Sequence, residues 1–134
     1  MDINKINSKI FRANDIRGKY PSEINEDIVF EIITKIKSLL GENIIIGFDA
    51  RLSSSSLYKN ALNALEKDKQ IKIFEAGIIT TPMLYFLVNK LKASSGIMIT
   101  ASHNPKNYNG LKIVGKNAMS IGGEEIHNII QIYK

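Results

Sequence analysis

The run from Thr100 to Pro105 brings together side chains that suit chemistry on a phosphate group. It follows an apolar stretch, Gly96 to Ile99, that predicts a buried strand, and the proline at its end stops that strand from continuing. A serine that carries a phosphoryl group needs a fixed hydroxyl, a nearby proton donor or acceptor, and loop N–H groups turned toward the anion. Ser102 is therefore the candidate nucleophile, His103 the candidate proton carrier, and Asn104 a candidate phosphate contact.

Lys112 is a further candidate because it lies among apolar residues in a short predicted strand. A lysine in such surroundings loses hydration, which disfavours its charged form unless an anion is near, and phosphate supplies that anion. A partly desolvated lysine can also exchange protons. The pattern alone gives equal weight to an outward-facing lysine on an edge strand.

Arg17 and Arg51 are candidate phosphate contacts, because a guanidinium can bind phosphate through two N–H groups at once. Arg17 precedes Gly18, which permits backbone torsions that other residues resist. Asp49 is expected to orient Arg51. Two interpretations of Arg51 stay open: it points toward the serine, or it only braces the loop.

The spacing of apolar residues predicts alternating helices and strands that position these side chains. Helices are expected to begin at Asn25, at Ser53 to Ser56, at Thr81-Pro82 and after Gly122-Gly123, the first ending before Gly41. Strands are expected at 44–48, 71–76, 96–100 and 111–114, the second ended by Gly77. This alternation predicts an α/β sandwich around a largely parallel sheet. Three short polar segments come directly after predicted strands, and they should lie together at the edge of the sheet where the parallel strands end. They are Asp49–Arg51, Thr80-Thr81 and Ser102-His103.

Composition narrows the class of protein. At 134 residues with 44% hydrophobic content, the chain predicts one globular domain, 1–134. The absence of cysteine excludes disulfides and thiolate metal sites.

A net charge of +5 suits anionic partners such as phosphate esters. Because the lysines are scattered and tryptophan is absent, a nucleic-acid partner is disfavoured. No apolar stretch predicts a signal peptide or membrane span, so no membrane partner and a cytoplasmic location are expected.

Four segments together resemble the α-D-phosphohexomutases, which include phosphomannomutase and phosphoglucomutase. They are the Thr-Ala-Ser-His-Asn-Pro run, Tyr108 to Lys112, Phe11 to Gly18, and Gly47 to Arg51. The resemblance runs from about Ile10 to Lys134 and covers the first of four family domains. It implies a three-layer α/β/α sandwich around a mixed, largely parallel sheet. The chain ends at Lys134 within the last predicted helix, which fits a fragment cut from a longer protein.

The resemblance implies an isomerase that moves phosphate between the 1- and 6-positions of a hexose phosphate. Phosphorylated Ser102 would give its phosphoryl group to the sugar, and a hexose 1,6-bisphosphate would return the other one. Lys112 and His103 would handle protons, while Arg17, Asn104 and Arg51 would contact phosphate or substrate. Mg²⁺ would bind a phosphate oxygen on Ser102. Its remaining ligands are absent from this chain, as are the family's sugar loop and the loop that grips substrate phosphate.

Three points stay open at this stage. The isolated chain is expected to be inactive, because its partners would include the remaining domains of the same protein as well as the hexose phosphate. The alternative is a stand-alone, non-catalytic module that binds phosphosugars or complements a separate chain. Asn14 stands where the phosphomannomutase branch usually has tyrosine, which weakens any sugar contact there, and the preferred hexose is not revealed.

Overall fold

The computed structural model describes residues 2–133, and within them it contains six strands and four α-helices. The strands are β1 (Ile16–Lys19), β2 (Asn43–Phe48), β3 (Lys72–Ile78), β4 (Ser95–Ile99), β5 (Tyr108–Val114) and β6 (Ser120–Ile121). The helices are α1 (Glu26–Leu40), α2 (Ser54–Glu66), α3 (Thr81–Lys90) and α4 (Gly123–Ile132). Lys134, which the sequence places in the last helix, lies outside the described residues.

All six strands form a single mixed sheet in the order β1-β5-β4-β2-β3, with β6 also paired to β5. Strand β2 is parallel to both β3 and β4, whereas β5 is antiparallel to β1, β4 and β6. Five strands therefore point the same way and β5 alone runs against them. This confirms the prediction of a mixed, largely parallel sheet.

The sheet separates two apolar cores of unequal size, which gives the three layers. Helices α1, α2 and α4 cover one face through the larger core. Helix α3 covers the other face, where Leu84 and Val88 pack against Ile45, Met98 and Val114. The central residues of β2 and all of β4 are buried, as their unbroken apolar runs predict.

Helix α1 follows its sequence signals closely. The Asn25 side chain accepts a hydrogen bond from the Ile28 N–H at 3.1 Å, and Gly41 ends the helix with φ +75°. The predicted cap of α3 is wrong by one residue. Thr80, not Thr81, accepts from the Met83 N–H, and Thr81 is the first helical residue.

Two strands differ from their predictions. Strand β3 continues to Ile78 instead of ending at Gly77, because Gly77 takes a positive φ of 71° at a bulge in its pairing with β2. Strand β5 begins at Tyr108, ahead of the predicted start at Leu111, because Tyr108 to Leu111 pair with β1.

The pairing of β1 with β5 brings Arg17 opposite Gly110. The two backbones are so close that a Cβ atom on Gly110 would lie 1.9 Å from the Ile16 carbonyl oxygen. Only glycine fits this position. Gly110 thereby lets β1 carry Arg17 to the edge at which β4 ends. Within the described residues, no helix is both long enough and apolar enough to cross a membrane.

Candidate active site

The serine loop, defined here as residues 100–108, runs from the end of β4 to the first residue of β5 and presents Ser102 to solvent. Ser102 has φ +54°, a left-handed conformation that costs energy in a residue other than glycine and tends to occur at functional sites. Its N–H donates to Thr100 Oγ1 at 2.9 Å. Its Oγ lies 3.3 Å from Nδ1 of His103. The loop therefore exposes a serine hydroxyl with an imidazole beside it.

Ser102 borders a cleft of about 450 Å³ at the carboxyl ends of the parallel strands. Asp49, Thr80, Thr81 and Thr100 also line this cleft. The prediction that these segments meet at one edge of the sheet is confirmed. A second cleft, of about 400 Å³, also borders Ser102 and is lined by Arg51, Asn104 and Lys106 among others.

Arg17 contacts the serine loop through the side chain of Asn104. Its Nη1 donates to Asn104 Oδ1 at 2.6 Å, and its Nε donates to Asp15 Oδ2 at 2.7 Å. Nη2 also lies against the Asp15 carboxylate, which is almost fully buried. Among the described residues, each terminal nitrogen of Arg17 keeps an N–H group without a partner. The structure thus joins Arg17 and Asn104 and leaves the arginine able to bind an anion.

Arg51 contacts the main chain of the serine loop instead. Nη1 donates to the carbonyl oxygens of Pro105 (2.7 Å) and Tyr108 (3.2 Å). Nη2 donates to those of Ser102 and Asn104, both at 2.8 Å.

Asp49 anchors this arrangement from beneath. Its carboxylate accepts hydrogen bonds from Arg51 Nε at 3.3 Å, from Thr100 Oγ1 at 2.8 Å and from Ser54 Oγ at 2.5 Å. Ser54 is fully buried at the start of α2, and Thr100 follows β4 directly. Asp49 therefore links the loop to both the sheet and α2.

Lys112 lies on the same face of the sheet as the cleft but makes no hydrogen bond to Ser102. It stands opposite Met98, which lines the cleft, and directly opposed residues share a face. Its Nζ donates to the Asn14 carbonyl at 3.1 Å and to Ser120 Oγ at 3.3 Å. The edge-strand alternative is wrong, because β5 lies between β4 and β1. At position 14 it is the main-chain carbonyl, not the side chain, that contacts Lys112.

Asp15, Thr100 and Tyr85 belong to this region although sequence reasoning did not single them out. Burial raises the pKa of Tyr85, and the negative charge of Asp15 raises it further, which shows that α3 brings the phenol close to that carboxylate. Asp15 had a usable signal, since it precedes Arg17 at the spacing of Asp49 and Arg51. Tyr85 had none, because helix packing alone brings it there.

A complete magnesium site does not fit the described residues. They contain no group of three or more histidine, cysteine or acidic side chains able to hold a metal ion. Mg²⁺ requires several oxygen ligands. Asp49, the carboxylate near Ser102, is already engaged by Arg51, Ser54 and Thr100.

Both the sequence and the fold of this chain match those of known proteins. Residues 8–134 match the family model for phosphoglucomutase/phosphomannomutase, alpha/beta/alpha domain I. The chain belongs to this family. It is 42% identical over 115 residues to a phosphomannomutase of Escherichia coli, a match that covers 85% of the chain. It is 32% identical over 127 residues to a probable phosphoglucosamine mutase of Methanobrevibacter smithii.

The fold is shared as well. A phosphoglucomutase/phosphomannomutase family protein of Burkholderia thailandensis aligns over 94% of this chain with a TM-score of 0.80 at 27% identity. The chain is shorter than all three. It spans 25% of the E. coli protein, 28% of the M. smithii protein and 30% of the B. thailandensis chain. Its extent therefore corresponds to domain I of this family.

Proposed function

We propose that this chain is the phosphoserine domain of a phosphohexomutase and that Ser102 carries the phosphoryl group. The observation that supports this most is the setting of Ser102. Its hydroxyl is exposed between two clefts, beside the His103 imidazole, on a loop that Arg17 contacts. A phosphoserine bears about −1.5 to −2 charges at neutral pH. The unpartnered N–H groups of Arg17 can offset that charge.

The transfer runs from phosphoserine to a hydroxyl of a hexose phosphate. The sugar oxygen forms a bond to phosphorus while the bond between phosphorus and Ser102 Oγ breaks. The proton leaving the sugar hydroxyl passes to a base, and Ser102 Oγ recovers a proton when it is released as a hydroxyl. His103 lies close enough to Ser102 Oγ to hold or deliver that proton. Lys112 lies on the same face and shares this role at the sugar.

The substrate class is a hexose phosphate and the identity of the sugar stays open. The names of the relatives include both a phosphomannomutase and a phosphoglucosamine mutase. We expect the chain alone not to interconvert mannose 1-phosphate or glucose 1-phosphate, because neither a metal site nor a sugar loop is present among the described residues. Rapid turnover that depends on Ser102 would contradict this expectation.

Incubation of the natural protein with glucose 1,6-bisphosphate, followed by intact-mass analysis and phosphopeptide mapping, tests the phosphate carrier. One phosphoryl group on Ser102 is expected. Ser102→Ala should remove it, while Ser55→Ala, an exposed serine of α2, should leave it in place. The isolated chain is expected to stay unphosphorylated, because its described residues contain no metal site. An unphosphorylated Ser102 in the natural protein, combined with measurable binding of hexose phosphates, would favour the non-catalytic module instead.

A further inference from the structure

We infer that Arg51 is a positioning residue, which holds the main chain of the serine loop and does not bind phosphate. This inference rests on the proposed function of Ser102. It decides between the two interpretations that the sequence leaves open, and it separates Arg51 from Arg17 in role.

The donors of Arg51 are fully used. A guanidinium has five N–H groups. One donates to the Asp49 carboxylate, and the other four donate to carbonyl oxygens of the serine loop at 2.7 to 3.2 Å. Only 14% of the Arg51 side chain is exposed. A phosphate on Ser102 would therefore find no free donor on this arginine.

The four carbonyl contacts shape the electrostatics of the loop. Carbonyl oxygens carry partial negative charge and would repel a phosphate, but here the arginine neutralises those of Ser102, Asn104, Pro105 and Tyr108. Among the described residues, the backbone N–H groups of His103 and Lys106 have no hydrogen-bond partner. Main-chain N–H groups of this kind can form an anion-binding concavity. Arg51 thus binds the carbonyl oxygens of the loop, while the N–H groups of His103 and Lys106 stay available to an anion.

The side chain of Arg51 is itself held in place by Asp49, which lies outside the serine loop. Asp49 orients Arg51 and is itself held by Ser54 on α2 and Thr100 after β4. Since neither contact depends on a ligand, the loop is held in place before a phosphate arrives, and no energy is needed to order it during transfer. This support also maintains the left-handed backbone of Ser102.

Lysine cannot replace this arginine. An ammonium keeps the charge but offers three donors at one point, and it lacks the planar fork that reaches four carbonyls and a carboxylate. Arg51→Lys should therefore loosen the serine loop even when no phosphate is present. An arginine that served only as a phosphate ligand would leave the phosphate-free loop unchanged, and this difference makes the conservative variant informative.

The experiment compares Arg51→Lys and Arg51→Gln with the unchanged chain by amide hydrogen exchange. Exchange of the hydrogen-bonded amides of Ser102, Asn104 and Tyr108 should accelerate by at least about tenfold in both variants, the effect of losing one hydrogen bond to a charged group. Exchange in β2 and β4 should stay slow, which reports that the variants fold. Arg12→Gln is the matched control, because Arg12 is exposed and its side chain has no hydrogen bond among the described residues.

Side-chain N–H resonances give a second readout, which separates an arginine that holds the loop from one that binds phosphate. On addition of inorganic phosphate, the resonances of Arg17 should shift while those of Arg51 stay in place and exchange slowly with water. Arg51 resonances that move with phosphate, or loop exchange unchanged in Arg51→Lys, would overturn the inference. Failure of the natural protein to accept phosphate on Ser102 from glucose 1,6-bisphosphate would count against the function of Ser102 alone.

Discussion

The triplets Asp15-Ile16-Arg17 and Asp49-Ala50-Arg51 have the same spacing, and both place an arginine against the serine loop. In each, the aspartate accepts from Nε of the arginine two residues later. Beyond its aspartate, each arginine contacts a different part of the serine loop. Arg17 reaches one side-chain oxygen and keeps free N–H groups, whereas Arg51 reaches four main-chain oxygens and keeps none.

The difference arises from where each triplet lies in the fold. Arg17 is inside β1, so its side chain projects from the face opposite that of Ile16, which is buried in the larger core. Arg51 lies in the loop between β2 and α2, where the chain can turn back beneath the serine loop. The same local motif thus provides an arginine with spare N–H groups when it is on a strand, and an arginine that holds the main chain of a loop when it is itself in a loop.

Substitution of each aspartate by alanine should give the largest difference between the two triplets, measured as the loss in the free energy of unfolding. Asp49→Ala leaves Arg51 without its carboxylate and deprives Ser54 and Thr100 of an acceptor, so the free energy of unfolding should fall by about 4 kcal/mol, the combined loss of three hydrogen bonds to a charged group. Asp15→Ala should cost about 2 kcal/mol, because Arg17 retains Asn104 and access to solvent. Urea unfolding measures both values.

Equal losses for the two variants would contradict this ranking. The slope of the free energy against urea should be the same in both, because neither change alters the surface exposed on unfolding. A changed slope in Asp49→Ala alone would indicate that the serine loop and α2 detach before the rest of the domain.

Gly110→Ala should disturb Arg17 and spare Arg51. The new Cβ would clash with the Ile16 carbonyl oxygen, a backbone atom, so β1 must move away from β5 at a cost of about 3 kcal/mol. The side-chain resonances of Arg17 should shift, while those of Arg51 should not. Gly115→Ala is the matched control, since its Cβ would meet its nearest neighbour at an ordinary 3.6 Å. An Arg51 that responds to Gly110→Ala would show that the two triplets are coupled.

The long elements could be predicted because their patterns are redundant. Helix α1 carries an Asn25 cap, a periodic apolar face and a glycine at its end, and all three signals agree. The start of β5 could not be predicted, because Asn109-Gly110 is a typical turn signal. In the fold this asparagine is buried and donates to Ser53 and Ser54, while the glycine admits β1.

Residues of the candidate site could be predicted from the sequence only where the type of side chain itself indicates a chemical role. Ser102, His103 and Asn104 stand in one distinctive run, and the structure brings Arg17 to it. The role of Arg51 could not be decided, because its partners are carbonyl groups, which every residue possesses. The cap of α3 was predicted at Thr81 instead of Thr80, because either threonine can cap a helix.

Glu26 is a third carboxylate that accepts several side-chain hydrogen bonds, but unlike Asp15 and Asp49 it is not paired with an arginine in the described part of the chain. Glu26, the first residue of α1, accepts hydrogen bonds from the Tyr20 hydroxyl at 2.6 Å and from Ser56 Oγ at 2.7 Å. Partial burial opposes the ionisation of Glu26, but these hydrogen bonds outweigh it and hold the pKa of the carboxyl below its ordinary value. The hydrogen bond to Glu26 raises the pKa of Tyr20, as do burial and the nearby negative charge.

Tyr20→Phe should therefore produce the smallest effect, one that depends on pH. The folded-state pKa of Glu26 is depressed, so its contribution is complete above about pH 4.5 and is lost as pH falls through that pKa. The pKa of Tyr20 is raised, so its contribution is complete below about pH 10 and is lost as pH rises. Urea unfolding should show a deficit of about 1 kcal/mol at pH 7 that shrinks toward both extremes. Tyr133→Phe, at an exposed tyrosine, should show none, and a pH-independent deficit in Tyr20→Phe would mean that lost packing, not the hydrogen bond, causes it.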